Sequence, residues 1–384
     1  MTEARTFVAR TLATLERVKS GYARPQPAAA GVDLNVGEAR FALPDHVRAE
    51  MAERVQRLTE LGYSNPAGEP ELRAAYLRHL ALDAHGRTLA EDTDVLVTAG
   101  GKEAVWLAVE LAMDAGQARA VLLPRPGWEP YGLWSATAGC PVVDYDPAAV
   151  AQDPDVLLDT LRRAPIRPGL LLLNYPHNPT GVGIDQQRLD RLVEIARDAG
   201  LRIVSDEVYR TFADEPASVA LSPAFDADQD LVADSTSKWL GMAGLRVGFL
   251  HAGSSQLAKL TQVRATYASC TSVLAQHVTA SLLSSSTAQK WLGTVREEIA
   301  ATRGGLAREL TARGVSVVSG GGLYVWARRP RPADIPDGVG NVPAAAMSDG
   351  SGFGAPGHIR LCVAREGLDP ARAASAVLTS LKGC

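Results

Sequence analysis

The chain has 384 residues, 46% of them hydrophobic and 21% charged, with a net charge of −4. That length exceeds one ordinary core, so two lobes are expected, and the acidic balance offers no surface for nucleic acid. Cys140, Cys270, Cys362 and Cys384 are scattered, without a CxxC pair or histidines at ligand spacing, which argues against a zinc site or disulfide framework and for a reducing, cytoplasmic setting.

The opening 22 residues have no continuous apolar run and carry Glu3 and Glu16, which fits neither a signal peptide nor a transit peptide. Phe7, Val8, Leu12, Leu15 and Val18 fall near helical spacing, so a short amphipathic helix is expected. A proline- and alanine-rich connector follows at 23–31. Helical patterns run over 46–61 and 69–86, a strand over 94–100 enters a glycine turn, and a helix covers 102–116. Short apolar runs at 118–124 and 169–176 end at prolines. A helix at 187–200 closes on glycine, and strands follow at 201–209, 230–237 and 244–252. Apolar strands alternating with helices indicate an α/β fold with a mainly parallel sheet covered on both faces. Near residue 285 the character changes. A long helical stretch at 288–314 precedes an antiparallel pair around a glycine turn at 315–330, a strand at 358–364 and a closing helix at 369–381. The expected organisation is an N-terminal arm with part of a small domain at 1–44, a large domain at 45–285 and a smaller α+β domain at 286–384. No stretch is long and apolar enough to cross a membrane.

The unusual polar residues cluster where the strands end, and ligands of open α/β sheets bind beyond the carboxyl ends of the strands. TAGGKEA (98–104) turns from strand to helix through Gly100 and Gly101, so backbone N–H groups at a helix N-terminus are available to a phosphate, although a plain packing turn reads the same way. NYPHNPTG (174–181) places Asn178 in a proline-bounded loop, where an ordinary turn is the bland alternative. In VSDEVY (204–209), Asp206 follows an apolar strand, and a carboxylate buried there needs a cation or a proton donor, although taken alone a capping Asp is the reading it favours. Lysine is scarce, occurring at Lys19, Lys102, Lys238, Lys259, Lys290 and Lys382. Lys238 sits in DSTSKWLGMAGLR among serines and glycines, which reads equally as a solvated loop lysine or as an amine meant to lose its proton.

The succession of GG turn, aromatic, Asn-Pro, Asp-x-x-Tyr, Ser-x-x-Lys and Arg closely resembles the class I/II aminotransferases, fold-type-I enzymes that use pyridoxal 5′-phosphate. The resemblance runs from GEARFALP (37–44) to the last helix. It implies that Lys238 forms the Schiff base with the cofactor and then moves a proton. Asp206 would bond the pyridine nitrogen, while Asn178 and Tyr209 bond the phenolic oxygen. Trp128 would stack on the ring. Gly100, Gly101, Lys102 (through its backbone N–H), Ser235, Ser237 and Arg246 would surround the phosphate. Tyr63 matches a tyrosine that reaches the phosphate from the neighbouring subunit, so a homodimer with shared sites is implied. Arg360 matches the arginine that forks onto the substrate α-carboxylate, with the Gly37 segment and Asn178 beside the substrate.

Two stretches depart from the family. GEARF (37–41) stands where GEPDF is common, and prolines and glycines in 328–357 cannot sustain the helix usually found there. The resemblance also implies that dicarboxylate-specific members carry a further cation, in several cases an arginine aligned with TYASCTSVL (266–274). That segment has none, with Arg264 and Lys102 the nearest candidates. The expected activity is transamination between a neutral L-amino acid, not aspartate, and a 2-oxo acid. Elimination at a C–S bond, decarboxylation, cyclisation and oxidation use the same constellation and stay open as alternatives. A cofactor-binding regulator would need a DNA-binding domain for which the short N-terminal helix leaves no room, and neither nucleic acid nor membrane is expected as a partner.

Overall fold

The computed structural model describes residues 7–18, 31–82, 86–114, 120–239, 241–335 and 343–382. Most of the 23–31 connector, and Cys384, lie outside the described residues. The first strand, β1 (Val32–Asp33), precedes seven that build the large sheet: β2 (Thr93–Thr98), β3 (Val121–Pro124), β4 (Val142–Tyr145), β5 (Leu170–Asn174), β6 (Arg202–Asp206), β7 (Leu231–Ser235) and β8 (Gly248–Gly253). Their order is β2-β8-β7-β6-β5-β3-β4. All are parallel except β8, which runs antiparallel to both its neighbours.

The leucine run of β5 is a consequence of burial on both faces. Leu171 and Leu173 point into one core with Ile203, Val232 and Phe249. Leu170 and Leu172 point into the other with Val204, Leu231 and Leu250. Alternate side chains of a strand face opposite ways, so a sheet covered twice needs continuous apolar sequence. The helix Gly101–Asp114 packs on β6, β7 and β8, which sets its N-terminus at the carboxyl edge of the parallel strands.

The C-terminal lobe contains β9 (Val317–Gly321), β10 (Tyr324–Arg328), β11 (Ala345–Ala346), β12 (Ser348–Asp349) and β13 (His358–Cys362). Four of these form an antiparallel sheet in the order β12-β13-β10-β9, while β1 pairs with β11 in parallel. Helices Ser286–Ala312 and Pro370–Lys382 pack against each other alongside.

Some elements differ from the sequence expectation. The 46–61 helix spans only Asp45–Gln56, and the 69–86 helix spans Pro70–Leu82. Strand β4 and the helices Glu129–Thr137, Ser254–Tyr267 and Val273–Ser284 were not anticipated. Within 328–357 the described residues form short strands and the 3-10 turns Pro332–Asp334 and Gly350–Phe353, with no long helix, as its prolines and glycines require. Among the described residues, no helix is long and apolar enough to cross a membrane.

Candidate active site

At the carboxyl edge of the parallel strands lies a cavity of about 940 Å³, closed on its far side by residues of the C-terminal lobe. Strand direction explains why the polar residues converge there. β5, β6 and β7 end at this edge; Asp206 and Ser235 are the last residues of β6 and β7, and Asn178 and Lys238 follow just beyond β5 and β7. β8 runs the other way, so its beginning lies at the same edge and brings Arg246, two residues upstream.

Asp206 is 4% exposed and accepts a hydrogen bond from the Tyr131 hydroxyl at 2.5 Å and one from the Val208 backbone at 3.3 Å. Burial pushes its carboxyl up to about 6, against the pull of those donors. A buried carboxylate with a raised pKa, lining the cavity, is set to meet a cation or a ring N–H. Lys238 donates to the Gly37 carbonyl, and its ammonium lies 5.9 Å from the centroid of the Tyr209 ring. Desolvation brings it down to about 8, so an appreciable fraction is a free amine near neutral pH.

Asn178 has its orientation fixed. Its Oδ1 accepts from Arg360 Nη1 at 2.8 Å, and its backbone N–H donates to Asn174 Oδ1 at 2.9 Å, which leaves the side-chain amide N–H groups for a ligand. Tyr209 is buried and shares a 2.7 Å hydrogen bond with the Tyr324 hydroxyl. Arg360, 7% exposed, also donates from Nη2 to the Asn35 carbonyl at 2.7 Å and to Ser348 Oγ at 3.0 Å. Its Nε is buried without a hydrogen-bond partner among the described residues.

The glycine turn is a tight cradle. Gly100 has φ of 91°, and a Cβ there would stand 2.5 Å from Arg246 Nη2. A Cβ on Gly101 would meet Val208 Cγ1 at 2.8 Å and Ser235 Cβ at 3.0 Å. Arg246, itself left-handed at φ 55°, donates to the Ala99 carbonyl at 2.9 Å and to Ser237 Oγ at 3.4 Å. Ser235 Oγ donates to Ser237 Oγ at 2.9 Å. Two hydroxyls and a guanidinium from 235–246, gathered against the helix N-terminal N–H groups of the glycine turn, are suited to an anion. Trp128 lines the wall beside it, with the Lys102 ammonium 5.3 Å from its ring centroid.

Of the residues expected from sequence, Gly37, Gly101, Lys102, Trp128 and Asn178 line the cavity together with Asp206, Tyr209, Ser235, Ser237, Lys238, Arg246 and Arg360. Gly100 backs it through Arg246. Tyr63 does not line it and is 90% exposed. Arg264 is also absent from its walls. It is 1% exposed, ion-paired with Glu103 at 3.1 Å and bonded to Thr271 Oγ1 at 2.8 Å. Sequence reasoning passed over Tyr131, Tyr324, Asn35, Ser348 and Phe353. Tyr131 had a local signal, lying three residues after Trp128 at the start of a helix; the others are brought in by long-range pairing.

The family profile described as aminotransferase class I and II matches residues 29–376. The aspartate/prephenate aminotransferase of Thermus thermophilus is 29% identical over 348 residues, 87% of each chain. The aspartate aminotransferase of Pyrococcus horikoshii is 30% identical over 241 residues, 61% of this chain and 59% of that relative. A solved structure of the Thermus thermophilus aspartate aminotransferase with maleate superposes with a TM-score of 0.76 at 26% identity, covering 99% of this chain and 96% of that one. The cradle, the poised lysine and the buried carboxylate fit the cofactor of that family, and the chain belongs to the class I and II aminotransferases, which depend on pyridoxal 5′-phosphate.

Proposed function

We propose that this aminotransferase takes its amino group from a neutral L-amino acid, bound through Arg360, and passes it to a 2-oxo acid. One observation carries the substrate reading. The cations lining the cavity are Lys102, Lys238, Arg246 and Arg360, and three of them already have work at the cofactor or the α-carboxylate. Arg264, the arginine nearest the segment where a distal-carboxylate cation would be sought, is consumed by Glu103. A second carboxylate buried without a cation is costly. Lys102 beside Trp128 supports the competing reading, a dicarboxylate donor, and the names of the relatives lean the same way.

The geometry supports the residue roles that the resemblance implies. The Gly100–Gly101 turn, the Lys102 backbone N–H, Ser235, Ser237 and Arg246 would hold the phosphate. Asp206, kept in place by Tyr131, would hold the ring nitrogen, and Trp128 would cover one ring face. Asn178 and Tyr209 would bond the phenolic oxygen, and Lys238 the aldehyde carbon. When bound, pyridoxal 5′-phosphate supplies an electron-withdrawing ring that stabilises negative charge developing at the donor's α-carbon. Lys238, with its lowered pKa, is suited to take the donor's α-proton and pass it on within the same half-reaction. Arg360 and Asn178 orient the donor, and the wall formed by 346–353 together with Gly37 keeps water from the reacting atoms.

We further infer a homodimer in which Tyr63 serves the neighbouring site. A cytoplasmic setting is supported by the scattered spacing of the four cysteines, which form no CxxC pair. Half-reaction titration of the cofactor-loaded protein tests the substrate: neutral amino acids are expected to convert it more efficiently than aspartate or glutamate. The reverse order would overturn the reading, and loss of that order in Lys102→Ala would assign the distal carboxylate to Lys102.

A further inference from the structure

Arg360 lies in the middle of β13, and the register of the small sheet places Ser348 of β12 directly opposite it. This pairing comes from the segment that departs from the family. Ser348 Oγ accepts from Arg360 Nη2 at 3.0 Å while donating to Asn35 Oδ1 at 2.6 Å. The Asn35 carbonyl accepts from the same Nη2 at 2.7 Å. Ser348 therefore ties the guanidinium to the N-terminal segment, whose β1 pairs with β11 only two residues before β12.

The same segment supplies a second restraint. After β12 the chain makes the turn Gly350–Phe353, started by the Asp349 side chain accepting from the Ser351 backbone at 2.8 Å. The Phe353 ring centroid stands 4.8 Å from the Arg360 guanidinium carbon, with the Tyr324 ring 4.6 Å from it. The Phe353 carbonyl accepts from the Gly127 backbone at 3.0 Å, which anchors this turn to the loop before Trp128. A guanidinium packed against two aromatic rings retains rotation in its own plane. In-plane hydrogen bonds must stop that rotation: the Asn178 side chain holds Nη1, and Nη2 is held between the Asn35 carbonyl and Ser348 Oγ.

We propose that Ser348 is a positioning residue for substrate recognition, fixing the in-plane angle at which Arg360 presents its N–H groups to an α-carboxylate. The inference rests on the reading of Arg360 as the carboxylate site. A carboxylate fork needs two parallel N–H bonds, so a guanidinium that loses one of these three restraints presents them at a less defined angle and loses affinity for carboxylates and for nothing else.

The test uses cofactor-loaded enzyme and spectral titration in the half-reaction. The fastest donor among L-alanine, L-leucine, L-methionine, L-phenylalanine and L-glutamine is set beside the amine lacking its carboxylate. Ser348→Ala is expected to raise the half-saturating concentration of the amino acid about tenfold, the scale of one hydrogen bond to a charged group. The amine's half-saturation and the maximal rate should stay near their original values, and Ser348→Thr should restore the amino acid's. An equal shift for both compounds, or none, would overturn the proposal. Arg360→Leu keeps the two readings apart: if it leaves the preference for the amino acid over its amine intact, the carboxylate assignment itself fails and takes the role of Ser348 with it.

Discussion

Asp206 pays for its position before any ligand arrives. Its carboxyl is raised from 3.8 to about 6, chiefly by burial, so between those values the folded chain holds more protons than the unfolded one. Stability contributed by this group is therefore lost as pH rises through that window. The cofactor-free Asp206→Asn protein is expected to be more stable than cofactor-free wild type at pH 7.5, by on the order of 2 kcal/mol, with the gap closing near pH 4. Denaturant melts at several pH values measure it; Glu207 and Asp230, also raised by burial, are common to both proteins and cancel. Turnover should move the opposite way and fall by orders of magnitude, because the carboxylate proposed to hold the ring nitrogen is gone. A variant that is no more stable without cofactor at neutral pH would contradict the assigned burial cost. Lys238→Ala is the companion change. Removing a positioned acid–base group should lower turnover at least ~10²-fold, and borohydride should fix the cofactor to Lys238 in wild type, as peptide mapping would show.

At the scale of elements, the glycine turn is where backbone shape and chemistry coincide. A side chain at Gly100 would combine positive φ with a 2.5 Å approach to Arg246. Gly100→Ala is accordingly expected to weaken cofactor binding about tenfold or more while leaving the fold intact. Cofactor titration followed alongside circular dichroism would check it, and unchanged affinity would remove the turn from the phosphate site. This turn was legible in the sequence because strand, glycine pair and helix are contiguous. So were β5, β6 and β7, whose burial on both faces writes itself as apolar runs. Strand β4 was not, since it lies at the sheet edge with Val142 and Asp144 exposed. The helix Glu129–Thr137 was hidden by its proline and glycine, which blur the helical period. Ser348 and Phe353 could not be read at all. Their importance comes from a register against Arg360 and a turn docked on Gly127, and neither leaves a local signature.

The whole molecule shows one surface that the single chain does not account for. Leu61, Tyr63, Val263, Tyr267 and Leu274 are 39–90% exposed. They are gathered by the packing around them: Gln276 donates to Ser64 Oγ at 3.2 Å, and Arg264 joins the Pro66 carbonyl at 3.2 Å to Thr271. Exposed apolar side chains on segments joined in this way suit the subunit contact of the proposed homodimer. Tyr63, absent from its own cavity, fits the expectation of a residue that works across a two-fold axis. In a C2 dimer each site would then combine Lys238 of one subunit with Tyr63 of the other. Mixing Tyr63→Ala and Lys238→Ala proteins, each weak or inactive alone, should create hybrid dimers with one intact site, about a quarter of all sites after random exchange. Restored turnover, measured after unfolding and refolding the mixture together, is the expected result. If Tyr63 served its own subunit, every site in the hybrid would keep one defect and mixing would restore nothing. A fully active monomer by sedimentation at micromolar concentration would exclude the shared site altogether.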